Sequence, residues 1–323
     1  MAMMTYVEAI RQGLWEEMER DESVFIMGED VGIYGGAFKV TKGLLERFGE
    51  RRVIDTPLSE SVIVGAGTGA AIHGLRPVVE MQFSDFMACG FDQITNFAAK
   101  CRYRWGGSVP LVVRAPAGGG IHGGPFHSQN PEMPYVHTPG LKVVQPATAY
   151  DAKGLIKASI RDNDPVIFLE HKYLYRSIKE DVPADDYTVP LSKAVVRREG
   201  TDISVITYGW MVHVALQAAE RLEEEISVEV MDLRTLVPYD REAVLKTAKK
   251  TSKVILLHED TLTGGMGGEL AGLISEHAFE YLDGPLIRIA APDTPVPFSP
   301  PLEEAFLPNV DKVVEKARWL HKY

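Results

Sequence analysis

The sequence is poor in the features that mark secreted, membrane and metal-binding proteins. Its 323 residues include two cysteines, Cys89 and Cys101, which lack the C-x-x-C spacing of a metal or redox site. No stretch approaches the roughly 18 apolar residues of a membrane span, and the N-terminal segment is charged throughout, unlike a secretory signal. We therefore expect a soluble cytoplasmic protein with two buried thiols.

Positive charge is also scarce. The chain has 34 Lys and Arg against 45 Asp and Glu, which gives a formal net charge of −11. Nucleic acids and anionic membranes bind surfaces with clustered Lys and Arg. We therefore expect proteins or small molecules as partners, and neither nucleic acid nor a membrane.

Two glycine-rich stretches lack the features of nucleotide-binding motifs. Residues 65–70 spell G-x-G-x-x-A, but no strand runs into the first glycine, so we expect a helix whose glycines permit close packing. Residues 118–129 lack the Gly-Lys-Ser/Thr of a P-loop. Because His122, His127 and His137 lack the spacing of a known zinc ligand set, a histidine poised for acid–base or oxyanion chemistry is the better functional hypothesis.

Short apolar strands alternate with helices along the whole chain, which is long enough for about two domains. The polar, proline-bearing passage 177–189 separates two such series and is the candidate linker. The pattern predicts an α/β protein with two parallel-sheet domains. The predicted strands lie at 23–27, 77–83, 109–114, 142–145 and 165–170, and then at 204–208, 227–232, 254–258 and 286–289.

The turn I-D-T-P-L-S-E-S at 54–61 places Glu60 directly ahead of a small, apolar run at 62–71. Pro57 restricts the backbone, so the chain turns there rather than continuing as a strand. The apolar run predicts a buried helix that begins near Ser61. Glu60 is then either a first-turn residue that only complements the helix dipole or a functional carboxylate.

Two other turns each allow a functional and a purely structural interpretation. Glu29 and Asp30 follow the first strand, a ligand-facing position in an open α/β sheet, although a solvated acidic turn is the simpler interpretation. The glycine-rich stretch 263–269 follows a strand and opens a helix, so it is either a phosphate site or an ordinary strand-to-helix loop.

Seven motifs in order resemble the β subunit of the thiamine-diphosphate-dependent component of 2-oxo acid dehydrogenase complexes. The resemblance covers the whole chain and implies an oxidoreductase with a pyrimidine-binding domain at 1–186 and a transketolase C-terminal domain at 187–323. The motifs are G-E-D-V-G at 28–32, D-T-P-L-S-E at 55–60, Q-F at 82–83, H-S-Q at 127–129, L-K-V-V at 141–144, D-L-R-T-L-V-P at 232–238 and A-A-P-D at 290–293.

The resemblance assigns roles to five residues. It implies that Glu60 hydrogen-bonds the ring nitrogen of the cofactor's aminopyrimidine, where a carboxyl group favours the tautomer that activates the cofactor. Leu58, Gln82 and Phe86 match positions that line the same ring, and Phe86 lacks the hydroxyl of the tyrosine found in some relatives. His127 is expected to orient the substrate and supply a proton during acyl transfer.

The sequence lacks the G-D-G motif, followed by N-N, that holds magnesium and diphosphate in this cofactor class. Another polypeptide must hold them, and in the family this is the α subunit of an α2β2 heterotetramer that serves a lipoyl-bearing dihydrolipoyl acyltransferase core. The resemblance also implies a structural potassium ion, although a plain helix C-terminus explains residues 159–164 equally well. The potassium positions are Leu111, Val112, Ser159, Asp162 and Asp164.

Residues 126–129 and 135–140 are more similar to branched-chain members of the family than to pyruvate members. We therefore expect a branched-chain 2-oxo acid as substrate, and hence a role in branched-chain amino acid catabolism, with pyruvate as the alternative. The missing diphosphate motif also permits a different class of protein, a non-catalytic scaffold subunit that docks the acyltransferase core.

Overall fold

The computed structural model describes residues 2–323, which form two compact units. The first unit comprises the residues up to Ala117 together with Pro134–Leu191, and the second comprises Gly118–Met133 together with Ser192–Tyr323. The glycine-rich segment that carries His127 thus packs within the second unit, although it lies inside the predicted domain 1–186. The domain boundary at residue 186 stays a prediction.

The elements up to residue 191 form a parallel sheet with helices around it. Short turns of 3-10 or π-helix lie at Ser84–Gly90, Gln93–Phe97 and Ala98–Lys100, and a further 3-10 turn at Gly124–Phe126 belongs to the second unit. The strands are β1 (Ala2–Thr5), β2 (Val24–Gly28), β3 (Val53–Asp55), β4 (Arg76–Glu80), β5 (Val112–Ala117), β6 (Lys142–Val144), β7 (Val166–His171) and β8 (Lys179–Val182). The helices are α1 (Tyr6–Arg20), α2 (Leu44–Phe48), α3 (Glu60–Ile72), α4 (Cys101–Trp105), α5 (Met133–Val136), α6 (Ala149–Arg161) and α7 (Leu174–Ser177).

The sheet of the first unit runs in the order β6-β7-β5-β4-β2-β3, and all of these neighbours pair in parallel. Strands β2, β5 and β7 are buried along their whole length, as expected of a parallel sheet covered on both faces. Helices α1 and α6 approach closely because Gly13 has no side chain: a Cβ there would lie 2.5 Å from Ile156 Cγ2. A separate antiparallel pair joins β1 to β8.

A buried ionic network ties the central strands together. The Arg114 guanidinium is fully buried and donates to Glu170 Oε1 and Oε2 at 2.6 and 2.8 Å, and to Glu80 Oε2 at 2.5 Å. The Tyr175 hydroxyl also donates to Glu170 Oε2, at 2.7 Å. Two carboxylates thus compensate one guanidinium, and its forked donors fix the register of β4, β5 and β7.

Helix α3 confirms the helix predicted after the Pro57 turn, although it is buried on one side only and Val62 is 64% exposed. Of its glycines, Gly67 serves packing. A Cβ on Gly67 would lie 2.7 Å from Val79 Cγ1 and 3.2 Å from Leu111 Cδ1, whereas a Cβ on Gly69 would meet nothing within 4 Å. The helix therefore rests on the sheet through Gly67.

This difference predicts opposite effects for two alanine substitutions. Gly67→Ala should lower the free energy of unfolding by about 1–3 kcal/mol, because the added methyl group overpacks the contact with β4. Gly69→Ala, the matched control, should raise it by up to about 1 kcal/mol, because alanine is the better helix former. Urea unfolding of the two variants checks the prediction, and equal effects of both substitutions would contradict it.

The second unit contains the second series of strands. The turn Phe279–Tyr281 is 3-10 helix. The strands are β9 (Val195–Arg198), β10 (Ile203–Thr207), β11 (Val228–Asp232), β12 (Thr235–Val237), β13 (Val254–Thr261) and β14 (Ile287–Ala291). The helices are α8 (Met211–Arg221), α9 (Arg241–Thr251), α10 (Met266–His277), α11 (Pro300–Phe306) and α12 (Val310–His321).

The second sheet runs in the order β14-β13-β10-β11-β9. The four predicted strands pair in parallel, and β9 adds an antiparallel edge that the sequence did not reveal. Helices α8 and α12 share one hydrophobic core with the sheet, which includes Ile203, Val205, Met211, Ala215, Val314 and Leu320. The predicted fold class, α/β with two mostly parallel sheets, is confirmed.

One expectation about the cysteines was wrong. Cys101 is buried, but Cys89 is exposed at the surface of the Ser84–Gly90 turn. Among residues 2–323, no helix combines the length and the apolar composition needed to cross a membrane.

Candidate functional site

Polar residues of the first unit gather at the carboxyl edge of its sheet. Because β2 pairs with both β3 and β4, with Gly28 opposite Asp55 on one side and Glu80 on the other, the ends of these strands are neighbours. Asp30 follows β2 and Gln82 follows β4, and Gln82 Nε2 donates to Asp30 Oδ2 at 3.1 Å. This edge is where open parallel sheets bind ligands.

The loop after β2 is held at the same edge by the end of β3. The Asp55 carboxylate accepts the backbone N–H groups of Gly32 and Ile33 at 2.5 and 3.0 Å. Gly32 suits this contact because a Cβ there would lie 2.7 Å from Asp55 Oδ2. The motifs at 28–32 and 55–60 thus form one hydrogen-bonded structure.

Glu60 is the first residue of α3 and follows the turn at Pro57. Its side chain is half-buried, while the neighbouring Leu58 is 79% exposed. The N-cap, Ser59, makes no side-chain capping bond, so the helix presents backbone N–H groups beside the carboxylate. A carboxylate and an exposed apolar side chain at one strand edge can together hold a flat, partly apolar ring with a hydrogen-bonding nitrogen.

Phe86 lies in the 3-10 turn Ser84–Gly90, which packs against α3: a Cβ on Gly90 would lie 3.4 Å from the Glu60 carbonyl oxygen. The Phe86 ring is half-buried and meets Phe83 edge to face, with 5.7 Å between the ring centroids. The structure therefore brings the predicted residues Leu58, Glu60, Gln82 and Phe86 to one edge of the first unit.

Glu29 lies at the same edge and is buried, although the sequence favoured a solvated acidic turn for it. The acidic turn is solvated at Asp30, as expected, but Glu29 is only 5% exposed. Within the described residues, neither of its carboxylate oxygens has a hydrogen bond of good geometry. Burial, followed by the negative charge of Glu60, raises the pKa of Glu29, and the Ser59 backbone offsets part of the rise. Glu29 therefore holds a proton more readily than an ordinary glutamate.

His127 lies in the second unit, in the glycine-rich segment. It is half-buried and follows the 3-10 turn Gly124–Phe126, and its backbone N–H donates to the Gly124 carbonyl at 3.3 Å. The Gly118 N–H donates to the Gln129 carbonyl at 2.9 Å, which closes the base of the loop. The neighbouring Ser128 is buried and its Oγ accepts the Gly123 N–H at 3.1 Å. His127 thus sits on a loop whose backbone is held by several hydrogen bonds.

Buried acidic groups lie behind this loop. Glu132 accepts a hydrogen bond from the Tyr208 hydroxyl, and burial together with the charge of Asp260 raises the pKa of Glu132 well above its ordinary value. Burial also raises the pKa of Asp260 to about 6, while the Thr261 backbone opposes the rise and Glu259 adds to it. An ionised Asp260 is therefore a source of instability at neutral pH.

Because the pKa of Asp260 is raised, we expect the stability of the protein to depend on pH. Its folded-state pKa of about 6 lies above the ordinary 3.8, so the folded state binds more protons in that interval and the free energy of unfolding falls as pH rises through it. Asp260→Asn removes this loss and should be more stable than the native chain at pH 7, and the difference should shrink as pH falls through that interval. Urea unfolding at a series of pH values tests this. The exposed Asp283→Asn is the control, and a stability difference that persists at low pH would contradict the prediction.

The predicted potassium positions lie at the start of β5 and the end of α6. The Leu111 carbonyl already accepts the Val166 N–H at 2.9 Å, and the Asp162 carbonyl accepts Arg76 Nη1, also at 2.9 Å. Lys142 Nζ binds both Asp162 carboxylate oxygens, at 2.6 and 2.7 Å. Within residues 2–323, no group of three or more His, Cys, Asp or Glu side chains is suited to holding a metal ion. Potassium at Leu111, Val112, Ser159, Asp162 and Asp164 stays a prediction.

The glycine-rich stretch at 263–269 has a packing explanation. Cβ atoms on Gly265 and Gly267 would lie 2.2 and 2.9 Å from ring atoms of His258. Burial lowers the pKa of His258 to about 4, so its ring is neutral and packs like an uncharged side chain. Thr263 is bound through its N–H and Oγ1 to Asp293, at 2.9 and 2.7 Å. These contacts favour the ordinary strand-to-helix loop over a phosphate site.

Two domain families match the chain, one after the other. The family described as "Transketolase, pyrimidine binding domain" matches residues 2–178, and "Transketolase, C-terminal domain" matches residues 192–313. The chain is 55% identical to the 2-oxoisovalerate dehydrogenase subunit beta of Bacillus subtilis (strain 168), with 100% of both chains covered. It is 47% identical to the pyruvate dehydrogenase E1 component subunit beta of the same organism and of Staphylococcus aureus (strain Mu50 / ATCC 700699), with 98% of each chain covered.

A solved structure shares the fold over nearly the whole chain. It is a split-gene transketolase described as an inactive β4 tetramer, and the two superpose with a TM-score of 0.81 at 22% sequence identity. The superposition covers 99% of this chain and 98% of that one.

Proposed function

Because the chain belongs to the family of β subunits of 2-oxo acid dehydrogenases, we propose that it is the β subunit of a branched-chain 2-oxo acid dehydrogenase. Such an enzyme decarboxylates the acid oxidatively and transfers the acyl group to the lipoyl group of an acyltransferase. The observation that carries the proposal is the carboxyl edge of the sheet in the first unit, where the chain segments that carry Leu58, Glu60, Gln82 and Phe86 follow neighbouring strands. The higher identity to the 2-oxoisovalerate relative, 55% against 47%, supports the choice of substrate.

The residues at this edge fit the aminopyrimidine of thiamine diphosphate. When bound, that cofactor would supply carbanion chemistry for decarboxylation of a 2-oxo acid. Glu60 would share a proton with a nitrogen of the bound ring, and Leu58 and Phe86 would offer it apolar contacts. Glu29, whose pKa burial raises, limits the negative charge beside Glu60 because it is more readily protonated.

The chain requires a partner to complete the site. Because the sequence lacks the diphosphate motif, we assign the diphosphate and the magnesium ion mainly to an α subunit, in an α2β2 heterotetramer. We also propose that this chain binds a structural potassium ion and that the protein is cytoplasmic. His127 orients the substrate and donates a proton during acyl transfer to the lipoyl-bearing acyltransferase core.

The substrate assignment is tested by comparing two acids. In the complex of this chain with its natural α partner, thiamine diphosphate and magnesium, we expect kcat/KM for 3-methyl-2-oxobutanoate to exceed that for pyruvate by at least about tenfold, since a few methylene-sized contacts give 1–3 kcal/mol. Release of carbon dioxide from each acid is the measurement. A preference for pyruvate would keep the reaction class and reassign the subunit to a pyruvate dehydrogenase.

A further inference from the structure

We propose that Glu303 is a positioning residue that holds the loop 118–123 in the conformation that presents His127. The inference rests on the proposed role of His127 and adds a residue from a distant part of the chain. Glu303 lies in α11 and is only 1% exposed. It is not itself placed against a reacting atom, so it acts through the loop.

Glu303 binds the loop through three donors. Its Oε1 accepts the Gly120 N–H at 3.1 Å, and its Oε2 accepts the His122 N–H at 3.1 Å and approaches His122 Nδ1 at 2.7 Å. The carboxylate thus binds the backbone at two points and one side chain within three residues. Hydrogen bonds to an ionised acceptor are among the strongest in proteins, which suits Glu303 to fixing this segment.

A second buried carboxylate holds the same loop from another element. Glu259, in β13, accepts the Gly119 N–H through Oε1 at 2.6 Å. Gly119 fits between the two carboxylates, since a Cβ there would lie 3.2 Å from Glu303 Oε1 and 3.5 Å from Glu259 Oε1. His122 has a φ angle of +59°, a left-handed conformation that is unfavourable for a residue with a Cβ and that the bonds to Glu303 help to maintain.

The bound segment sets the position of His127. Opening the loop would leave the buried Glu303 carboxylate without these three donors, which is unfavourable because a buried charge needs partners. Beyond the bound segment, Gly123 N–H donates to Ser128 Oγ, and His127 N–H donates to the Gly124 carbonyl, at 3.1 and 3.3 Å. Hydrogen bonds thus recur along the segment from Gly119 to His127, and those of its first part are anchored in α11 and β13.

The test uses the complete enzyme, this chain assembled with its α partner, thiamine diphosphate and magnesium. The variants are Glu303→Ala and the equal-sized Glu303→Gln, and the control is Glu304→Ala, the exposed neighbour on the same helix. Two activities are measured: decarboxylation with an artificial electron acceptor, and acylation of a free lipoyl domain. We expect Glu303→Ala to lower acylation about ten- to a hundredfold with a much smaller loss of decarboxylation, Glu303→Gln to retain more acylation, and Glu304→Ala to change neither.

A double-substitution cycle separates positioning from general stability. In a His127→Ala background, Glu303→Ala should cause little further loss of acylation, because both changes remove the same contribution. The inference would be overturned if Glu303→Ala acylated the lipoyl domain at the wild-type rate. It would also be overturned if the loss of acylation in the double variant equalled the sum of the two single losses, expressed as free energies.

Hydrogen exchange tests the anchor without reference to activity. Backbone amides at 119–122 should exchange faster in Glu303→Ala than in Glu304→Ala, while the strands of the second unit keep their protection. Unchanged exchange at 119–122 would overturn the inference whether or not the enzyme is active. An assembly that exchanges as expected but shows neither activity would instead contradict the proposed function.

Discussion

Glu60→Gln in the assembled enzyme is expected to lower carbon dioxide release by about a thousandfold, within the range that one acid–base group contributes. Glutamine keeps the length of the side chain but, unlike a carboxyl group, cannot give up or take up a proton at the ring nitrogen. The fold should be unaffected, because Glu60 is half-buried at the first position of α3 and is not part of the buried network around Arg114. Steady-state release of carbon dioxide from 3-methyl-2-oxobutanoate is the measurement.

The control for this variant is Glu50→Gln, an exposed carboxylate on the same unit. It should release carbon dioxide at the native rate. Thermal unfolding of the Glu60→Gln assembly should match that of the native assembly, which separates loss of chemistry from loss of structure. Near-native turnover by Glu60→Gln would contradict the assigned role of the carboxylate and favour a residue that only complements the helix dipole.

His127→Ala is expected to lower acylation of the lipoyl domain by about a hundredfold or more, the usual contribution of a positioned general acid. Decarboxylation with an artificial electron acceptor should fall much less, because that assay omits the acyl transfer. The difference between the two assays, measured on one preparation, is the diagnostic quantity.

His137→Ala provides the matched control, because this histidine is exposed and lies in the first unit, outside the loop that carries His127. It should leave both activities unchanged. An equal loss of acylation and decarboxylation in His127→Ala would show that the histidine serves an earlier step, and full acylation would remove it from the proposed mechanism.

Local sequence patterns were sufficient for the fold class and for the edge that carries Glu60. The apolar runs at 24–28 and 166–171 and the turn at Pro57 each describe an element through its own residues, so no distant contact was needed to predict them. The antiparallel strand β9 was missed because its four residues are all half-buried and carry no clear apolar alternation.

Features that depend on distant contacts could not be predicted. Glu29 looked like part of a solvated turn, because its burial results from neighbours elsewhere in the fold. Similarly, the segment at 118–133 belongs to the second unit through contacts with Glu259 and Glu303, more than a hundred residues further along the chain. Burial of polar groups is set by tertiary structure, and a single sequence carries little signal for it.

The central claim is that this chain is one half of a catalytic site, and reconstitution tests it most directly. Carbon dioxide release from 3-methyl-2-oxobutanoate should be measured, with thiamine diphosphate and magnesium, for the chain alone, for its natural α partner alone, and for the two assembled. The predicted result is release by the assembly only, at a rate that depends on Glu60. Release by the α partner alone at the rate of the assembly, or none by a correctly formed α2β2 assembly, would contradict the claim and leave the scaffold subunit as the better description.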